Sequence, residues 1–219
     1  MQTSQLLFKY NDLDETAKEK ARQHYIEHWI HEDWYDYIYE DFKELGRDRG
    51  FEIEDMSFTG FWSQGDGALW VGAVYLPHFI KHYLPESIGR DCWLWLIEDG
   101  CMHDRVGIIR TSHHYSHENC MGIESFTVYA HHSDDTLRLD CILKGAPIDT
   151  VWNLIRADRT CPVHSIDDLE ELVLDEARRF ARTMYVELEK GYEAECSDEC
   201  VSECYDANGV LFNEEGVIL

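Results

Sequence analysis

Basic residues are scarce in this chain. Its 19 Lys and Arg stand against 44 Asp and Glu, a formal net charge of −25 on 219 residues. That deficit argues against direct contact with nucleic acid or an anionic membrane surface, since both need clustered cations. No stretch of about 18 uncharged apolar residues occurs, so no transmembrane helix is expected. The first 25 residues, MQTSQLLFKYNDLDETAKEKARQHY, hold no apolar run of signal-peptide length. The expectation is therefore a cytosolic location, within a host cell if the chain serves one. In that reducing compartment the eight Cys read as small core hydrophobes or sites, not as staples. No two Cys stand as C-x-x-C, and there is no Gly-x-Ser-x-Gly elbow, P-loop, Rossmann glycine fingerprint, βαβ alternation or internal repeat. An enzyme thus lacks its usual signatures here, and no cofactor is assigned.

What is present points to a folded chain. Hydrophobic residues make up 44% and aromatics 13%, with seven Trp and twelve Tyr. Acidic disordered chains are poor in aromatics. The length suits one α+β domain spanning 1–219, with a helical part at 1–50, an antiparallel sheet at 51–145 and an acidic helical part at 146–219. Residues 160–219 hold 16 acids and 4 bases. These acids interleave with apolar residues, which is the pattern of a helix with an acidic outer face.

Periodicity predicts the elements. Residues 5–10 read as a short strand or extended lead-in, and Asn11 or Asp12 as the cap of a helix whose stripe is Leu13, Ala17, Ala21, Tyr25 and Trp29. A second helical pattern runs from about Asp33 to Leu45 and ends at Gly46 and Gly50; the two form separate helices or one bent around His31. Strands are expected at 51–58 and 69–75 around a glycine-rich loop, then a short helix from Pro77 to Tyr83, stopped by Pro85. Further strands are read at Cys92–Ile97, Val106–Tyr115 and Met121–His131, the last two joined by the polar turn Ser116–Asn119, and at Leu137–Leu143. A central antiparallel sheet of about four or five strands, drawn from these six candidates, is expected. Ile148–Ala157 reads as a helix. Ser165 and Asp168 signal the cap of a long helix with the stripe Leu169, Leu172, Val173, Ala177, Phe180, Met184 and Leu188. Ser197 starts a short helix, Asn208–Gly209 turns, and Val210–Leu219 closes as a small hairpin.

Two constellations could carry chemistry. The loop Gly60-Phe61-Trp62-Ser63-Gln64-Gly65-Asp66-Gly67 joins three glycines to a flat aromatic, two hydrogen-bonding side chains and a carboxylate. Rigid binding sites need that combination. A turn whose aromatics fold back onto the core is the plainer reading. His114, His117 and Cys120 stand three apart at the hairpin tip and could hold zinc with Asp66 or Glu118, but the second tight pair of a zinc knuckle is missing, so no metal is assigned. Imidazoles sharing a pocket with the loop, or lining a strand, serve equally. The triplets His114-Tyr115-Ser116 and His131-His132-Ser133 resemble the paired His-x-Ser/Thr of two-histidine phosphoesterases, but that family separates its triplets by much more chain. His24, His28 and His31 share a helix face without the glutamate position of a metalloprotease. Cys196, Cys200 and Cys204 form one stripe, read as the buried side of the last helix.

Several passages together resemble one family. They are Asn11-Asp12-Leu13 with Glu15 to Ala21, the string Phe58-Thr59-Gly60-Phe61-Trp62-Ser63-Gln64-Gly65-Asp66-Gly67-Ala68, His114-Tyr115, His117, Cys120-Met121, Ser197-Asp198-Glu199, Ala207-Asn208, and Phe212 to Gly216. The chain is similar to small acidic proteins of phages and prophages, some labelled antitoxins of toxin–antitoxin systems. FWSQGDGA is its specific part. Leu69-Trp70 stands where an aromatic–acidic pair is more usual. The resemblance implies a mobile-element origin.

Charge and resemblance give the functional expectation: a phage-encoded acidic protein that binds and inhibits a basic host protein of defence or nucleic-acid handling, in the manner of a DNA mimic. Its acidic face is read as Asp167, Asp168, Glu170, Glu171, Asp175, Glu187, Glu195, Asp198 and Glu199, and its binding residues as Trp62, Ser63, Gln64, Asp66, His114 and His117. The alternatives are a pocket for a nucleotide-type ligand, bound or hydrolysed, and an antitoxin neutralising a basic toxin. Self-association is left open.

Overall fold

Asp14, not Asn11 or Asp12, starts the first helix, because its side chain accepts the Ala17 N–H at 2.8 Å. Tyr10–Asp12 form a single 3-10 turn ahead of it. The computed structural model describes residues 6–126 and 148–219. In them α1 spans Glu15–His28 and α2 Asp36–Asp48. They are separate helices, and α2 runs through Gly46 to end at Asp48. Then come β1 (Phe51–Thr59), β2 (Gly67–Tyr75), α3 (Leu76–Tyr83), α4 (Ile88–Glu98), β3 (Arg105–Arg110), β4 (Met121–Ile123), α5 (Ile148–Ala157), α6 (Ile166–Glu195) and α7 (Asp198–Ala207). The fold is α+β, with a four-stranded antiparallel sheet in the order β1-β2-β3-β4 and a long helix near the end of the chain.

The chain groups into two compact units, Met1–Ile38 with Val186–Leu219, and Tyr39–Tyr185. The first is built on Tyr10, Leu13, Ala17, Ala21, Tyr25, Val201, Tyr205 and Phe212, all buried. The Tyr205 hydroxyl donates to Ala21 O at 2.9 Å, which places a buried polar group without loss. Asp198 joins Tyr10 (2.7 Å) and Arg22 (2.6 Å). The expected lead-in strand reduces to one bridge, Phe8 with Phe212, and the closing hairpin forms through Phe212 with Ile218. Ser197 caps α7 by accepting the Cys200 N–H at 3.3 Å. On α7 the fully covered positions are Val201 and Tyr205, while Cys200 and Cys204, and Cys196 just ahead of the helix, are only half-buried. The cysteine stripe thus borders the buried side without being it.

The second unit carries the sheet. β1 and β2 pair from Phe51 with Val74 to Thr59 with Gly67, broken by an irregularity between Ile53 and Asp55. Against the sheet lies the predicted stripe of α6, with Leu169, Val173, Ala177, Phe180 and Met184 buried. Phe51, Trp70 and Phe180 interlock, with Phe51 5.1 Å from Trp70 and 5.2 Å from Phe180, and the Trp70 indole N–H donates to Ala177 O at 3.1 Å. Ser165 caps α6 as read, accepting the Asp168 N–H at 3.1 Å, and the Asp168 carboxylate accepts the His164 N–H at 2.9 Å. α5 occupies the expected Ile148–Ala157.

The sheet reading needs correction at two places. Cys92–Ile97 is the body of α4, not a strand. The Ser87 hydroxyl caps that helix by accepting the Arg90 N–H, and Cys92, Trp93, Trp95, Leu96 and Ile97 are all buried. A helix covered on most sides shows no polar period, so its six residues look like a buried strand. β3 stops at Arg110, and Thr111–Ser116 form a loop where Val106–Tyr115 was read as one strand. The strand read at Leu137–Leu143, the end of Met121–His131, and His131-His132-Ser133 lie outside the described residues.

Candidate functional site

Thr59 pairs with Gly67, so residues 60–66 must reverse the chain. The turn closes at Ser63–Asp66: the Ser63 N–H donates to the Asp66 carboxylate at 2.6 Å, and the Asp66 N–H to Ser63 O at 3.2 Å. Three residues of the loop take positive φ, Gly60 (26°), Trp62 (67°) and Gly65 (93°). For the glycines this is unstrained. For Trp62, the one non-glycine with positive φ among the described residues, it is an outlier that the closed turn must hold. Phe61 anchors the loop, with its ring 5.5 Å from Phe58 and 5.6 Å from Tyr185, and the Tyr185 hydroxyl donates to Gly60 O at 3.4 Å. Trp62 is left 67% exposed, its ring 5.8 Å from Phe61. Ser63 and Gln64 are exposed beside it.

The β3–β4 connection lies against this loop. A Cβ on Gly65 would sit 3.2 Å from the Tyr115 ring, and one on Gly67 2.8 Å from His117 Cδ2. The absence of side chains at 65 and 67 is what lets the two segments meet. Arg110 shapes the connection from within, donating to Ser112 O (2.8 Å), Tyr115 O (3.1 Å) and Ser116 Oγ (3.2 Å). Tyr115 is thereby presented 54% exposed. His117 Nδ1 accepts the Asn119 N–H at 3.0 Å and lies 3.1 Å from Glu118 Oε2. One nitrogen cannot accept and donate there at once. The amide contact makes it an acceptor, so the Glu118 charge is met by Arg182 of α6, at 3.0 Å. Glu118 is buried, and Arg178 adds a bond to Met121 O at 2.9 Å.

The structure thus brings loop and connection together as a surface. Asp66 and His117 act as internal struts, while Trp62, Ser63, Gln64 and His114 face outward. An open cavity of about 480 Å³ lies elsewhere, among Tyr75, Pro77, Lys81, Ile97, Met102 and His103, and none of the six predicted binding residues lines it. Among the described residues no group of three or more His, Cys, Asp or Glu is placed to hold a metal ion. His114, His117 and Cys120 do not form such a group. Tyr115, Arg110, Arg182 and Tyr185 were not singled out for binding by their pattern, and Glu118 only as a candidate zinc ligand. Arginines on an otherwise acidic helix were the available signal for Arg182.

The predicted acidic residues have mixed roles. In the second unit Asp168 is a cap and Glu170 accepts the Phe126 N–H at 3.0 Å, while Asp167, Glu171 and Asp175 are exposed. In the first, Glu187 pairs with Lys190 (2.7 Å), Glu195 accepts from the Cys200 thiol (3.7 Å), Asp198 is held by Tyr10 and Arg22, and Glu199 is exposed. The hydrogen bond from Tyr10, then those from Arg22, hold the Asp198 carboxyl below the usual range, and burial with that same bond pushes Tyr10 up to about 12. No helix among the described residues is long and apolar enough to cross a membrane.

A family model described as a domain of unknown function, DUF8835, matches residues 34–198. No curated protein and no solved structure matches the chain. The chain belongs to the DUF8835 family.

Proposed function

We propose that this member of the family is an acidic binding protein, of phage or prophage origin, that occupies a basic, nucleic-acid-binding surface of a host protein and so inhibits it. Net charge draws the partner, and the Trp62 loop with Tyr115 supplies the specific contact. The observation that carries the reading is Trp62 itself, a large aromatic kept 67% exposed at a costly φ of 67°. An indole left two-thirds exposed buries little of its area in return for the backbone cost of positive φ, whereas interfaces concentrate their affinity in Trp and Tyr. The charge of −25 supports a basic partner, because opposite potentials speed encounter and exclude acidic competitors. An antitoxin acting on a basic toxin would use the same surface on a different partner.

The test is capture from host lysate at low salt on immobilised wild-type chain and on Trp62→Ala, both eluted with a salt gradient. The expected result is a basic protein that elutes sharply as salt rises and whose affinity for Trp62→Ala falls by about tenfold or more. Equal retention by the variant, or elution indifferent to salt, overturns the proposal.

A further inference from the structure

His24 and His28 stand one turn apart at the end of α1. Side chains four residues apart lie over one another on a helix. Their rings stack, with centroids 4.5 Å apart and planes 19° from parallel. His28 Nδ1 lies 3.1 Å from His24 O. A carbonyl only accepts, so Nδ1 carries the proton and donates it. The lone pair of the neutral His28 ring is then on Nε2, and the side chain is exposed. His24 is half-buried. Its Nδ1 is shut off from water and meets no partner, so no hydrogen bond there fixes which nitrogen is protonated. Glu27, between the two in sequence, accepts from the Gln23 amide at 2.6 Å. His31 lies beyond the end of α1, so the helical register does not carry it to the pair.

We propose that His24 and His28 together chelate a divalent transition-metal ion of borderline character, such as Ni²⁺ or Zn²⁺, with water completing its coordination. Two histidines at i and i+4 are the spacing by which a helix offers two imidazoles to one ion. The ion sits about 2.1 Å from each nitrogen, which puts the two nitrogens about 3 Å apart. Rings stacked at 4.5 Å reach that by tilting about their own side-chain torsions, with the backbone unmoved. The His28 ring is already held as ligating histidines are, its other nitrogen donating to a backbone carbonyl. His24 lacks that support. With metal on Nε2, its Nδ1–H is buried and unpaired, so the pair binds more weakly than a fully supported site. Electrostatics favours a cation here. The last turn of a helix carries a partial charge of about −0.5. The chain's net charge of −25 raises the local concentration of cations further. Two protein ligands fall short of the three-membered group that is absent among the described residues, so the ion keeps open positions and exchanges. The pair shares no residue with the Trp62 surface, and it stands or falls independently of the partner proposed for that surface.

The probe is Ni²⁺ alone, which imidazole suits and which thiolates draw less than they draw Zn²⁺ or Cu(I). Calorimetric titration of the full chain at about pH 7.5, with a phosphine reductant, is expected to give one ion per chain at the tightest site. His24→Ala and His28→Ala, each with an unchanged circular dichroism spectrum, should each weaken that site by about tenfold or more, because one ligand of the pair is lost. A chelate is lost only once, so the double variant should bind within about twofold of either single one. Histidine ring spectra of the unaltered chain give a readout independent of any variant. Paramagnetic Ni²⁺ is expected to broaden the His24 and His28 signals before those of the other histidines. An affinity that folded His28→Ala keeps to within about twofold overturns the proposal. So do losses that add in the double variant, which would mean two separate one-imidazole contacts, or broadening that begins at other histidines.

Discussion

At Trp62 the contact proposed for the indole can be separated from stability. A left-handed conformation costs an L-residue about 1–2 kcal/mol, and Trp62 adopts it at φ 67°. Trp62→Gly removes that strain and adds about 1 kcal/mol of unfolded-chain entropy. The two nearly cancel, so urea unfolding should place the variant within about 1 kcal/mol of wild type while the contact proposed for the indole is lost. A larger loss of stability would mean that the ring is packing, not presenting. Gly67→Ala should behave oppositely. Its Cβ would stand 2.8 Å from His117 Cδ2 and 3.1 Å from His117 Cα, so the connection must move. A loss of about 1–3 kcal/mol in the same titration is expected. The composition of this loop was legible from its glycines and polar residues. The sign of the Trp62 backbone angle was not, because a residue's identity does not state its φ. Nor was the meeting of Gly65 with Tyr115, which only the pairing of β2 with β3 and of β3 with β4 brings about.

At the scale of elements, α6 and α5 were readable because one face of each is buried and the other wet, which prints the helical period into the sequence. α4 was not, since Trp93, Leu96 and Ile97 meet protein on several sides; Trp93 stacks edge-on to Trp152 at 5.5 Å and donates to Val163 O at 3.2 Å. Its only local signal was the cap. Ser87→Ala should cost about 1 kcal/mol. The same helix start is held from across the chain by Asp158, which accepts the Gly89 N–H at 2.7 Å and the Thr160 N–H at 2.9 Å. The Gly89 bond, then the Thr160 bond, lower its pKa to about 2. A carboxyl depressed on folding contributes stability that is fully present above its unfolded value, about 3.9, and is lost as pH falls through the folded one. Asp158→Asn should therefore melt below wild type at pH 6. That gap should close as pH falls from about 4 toward about 2. A difference that stays constant over that range would assign the loss to geometry, not to charge.

For the whole molecule, the question is whether salt stabilises or weakens the fold. Its surface ion pairs argue for weakening: Lys9–Asp206, Arg105–Glu52 and Lys190–Glu187 are all at 3.0 Å or less, and all are substantially exposed. Exposed pairs of this kind contribute about 0–1 kcal/mol each, less as salt rises. Against them stands an excess of 25 negative charges, every one repelling the rest in the compact state. With 44 acids and 19 bases, most carboxylates have no cation left to pair with, so screening removes more repulsion than attraction. The melting temperature at pH 7 should rise by several degrees between about 0.02 and 0.5 M NaCl. Acidification toward the isoelectric point near 4.6 should act in the same direction on charge while lowering solubility. A melting temperature that falls with salt would show that the few cations are placed well enough to outweigh their number. The acidic surface would then be held as a fixed pattern, which is what mimicry of a phosphate backbone requires, and the chain's affinity for a basic partner should fall with salt in parallel with its stability.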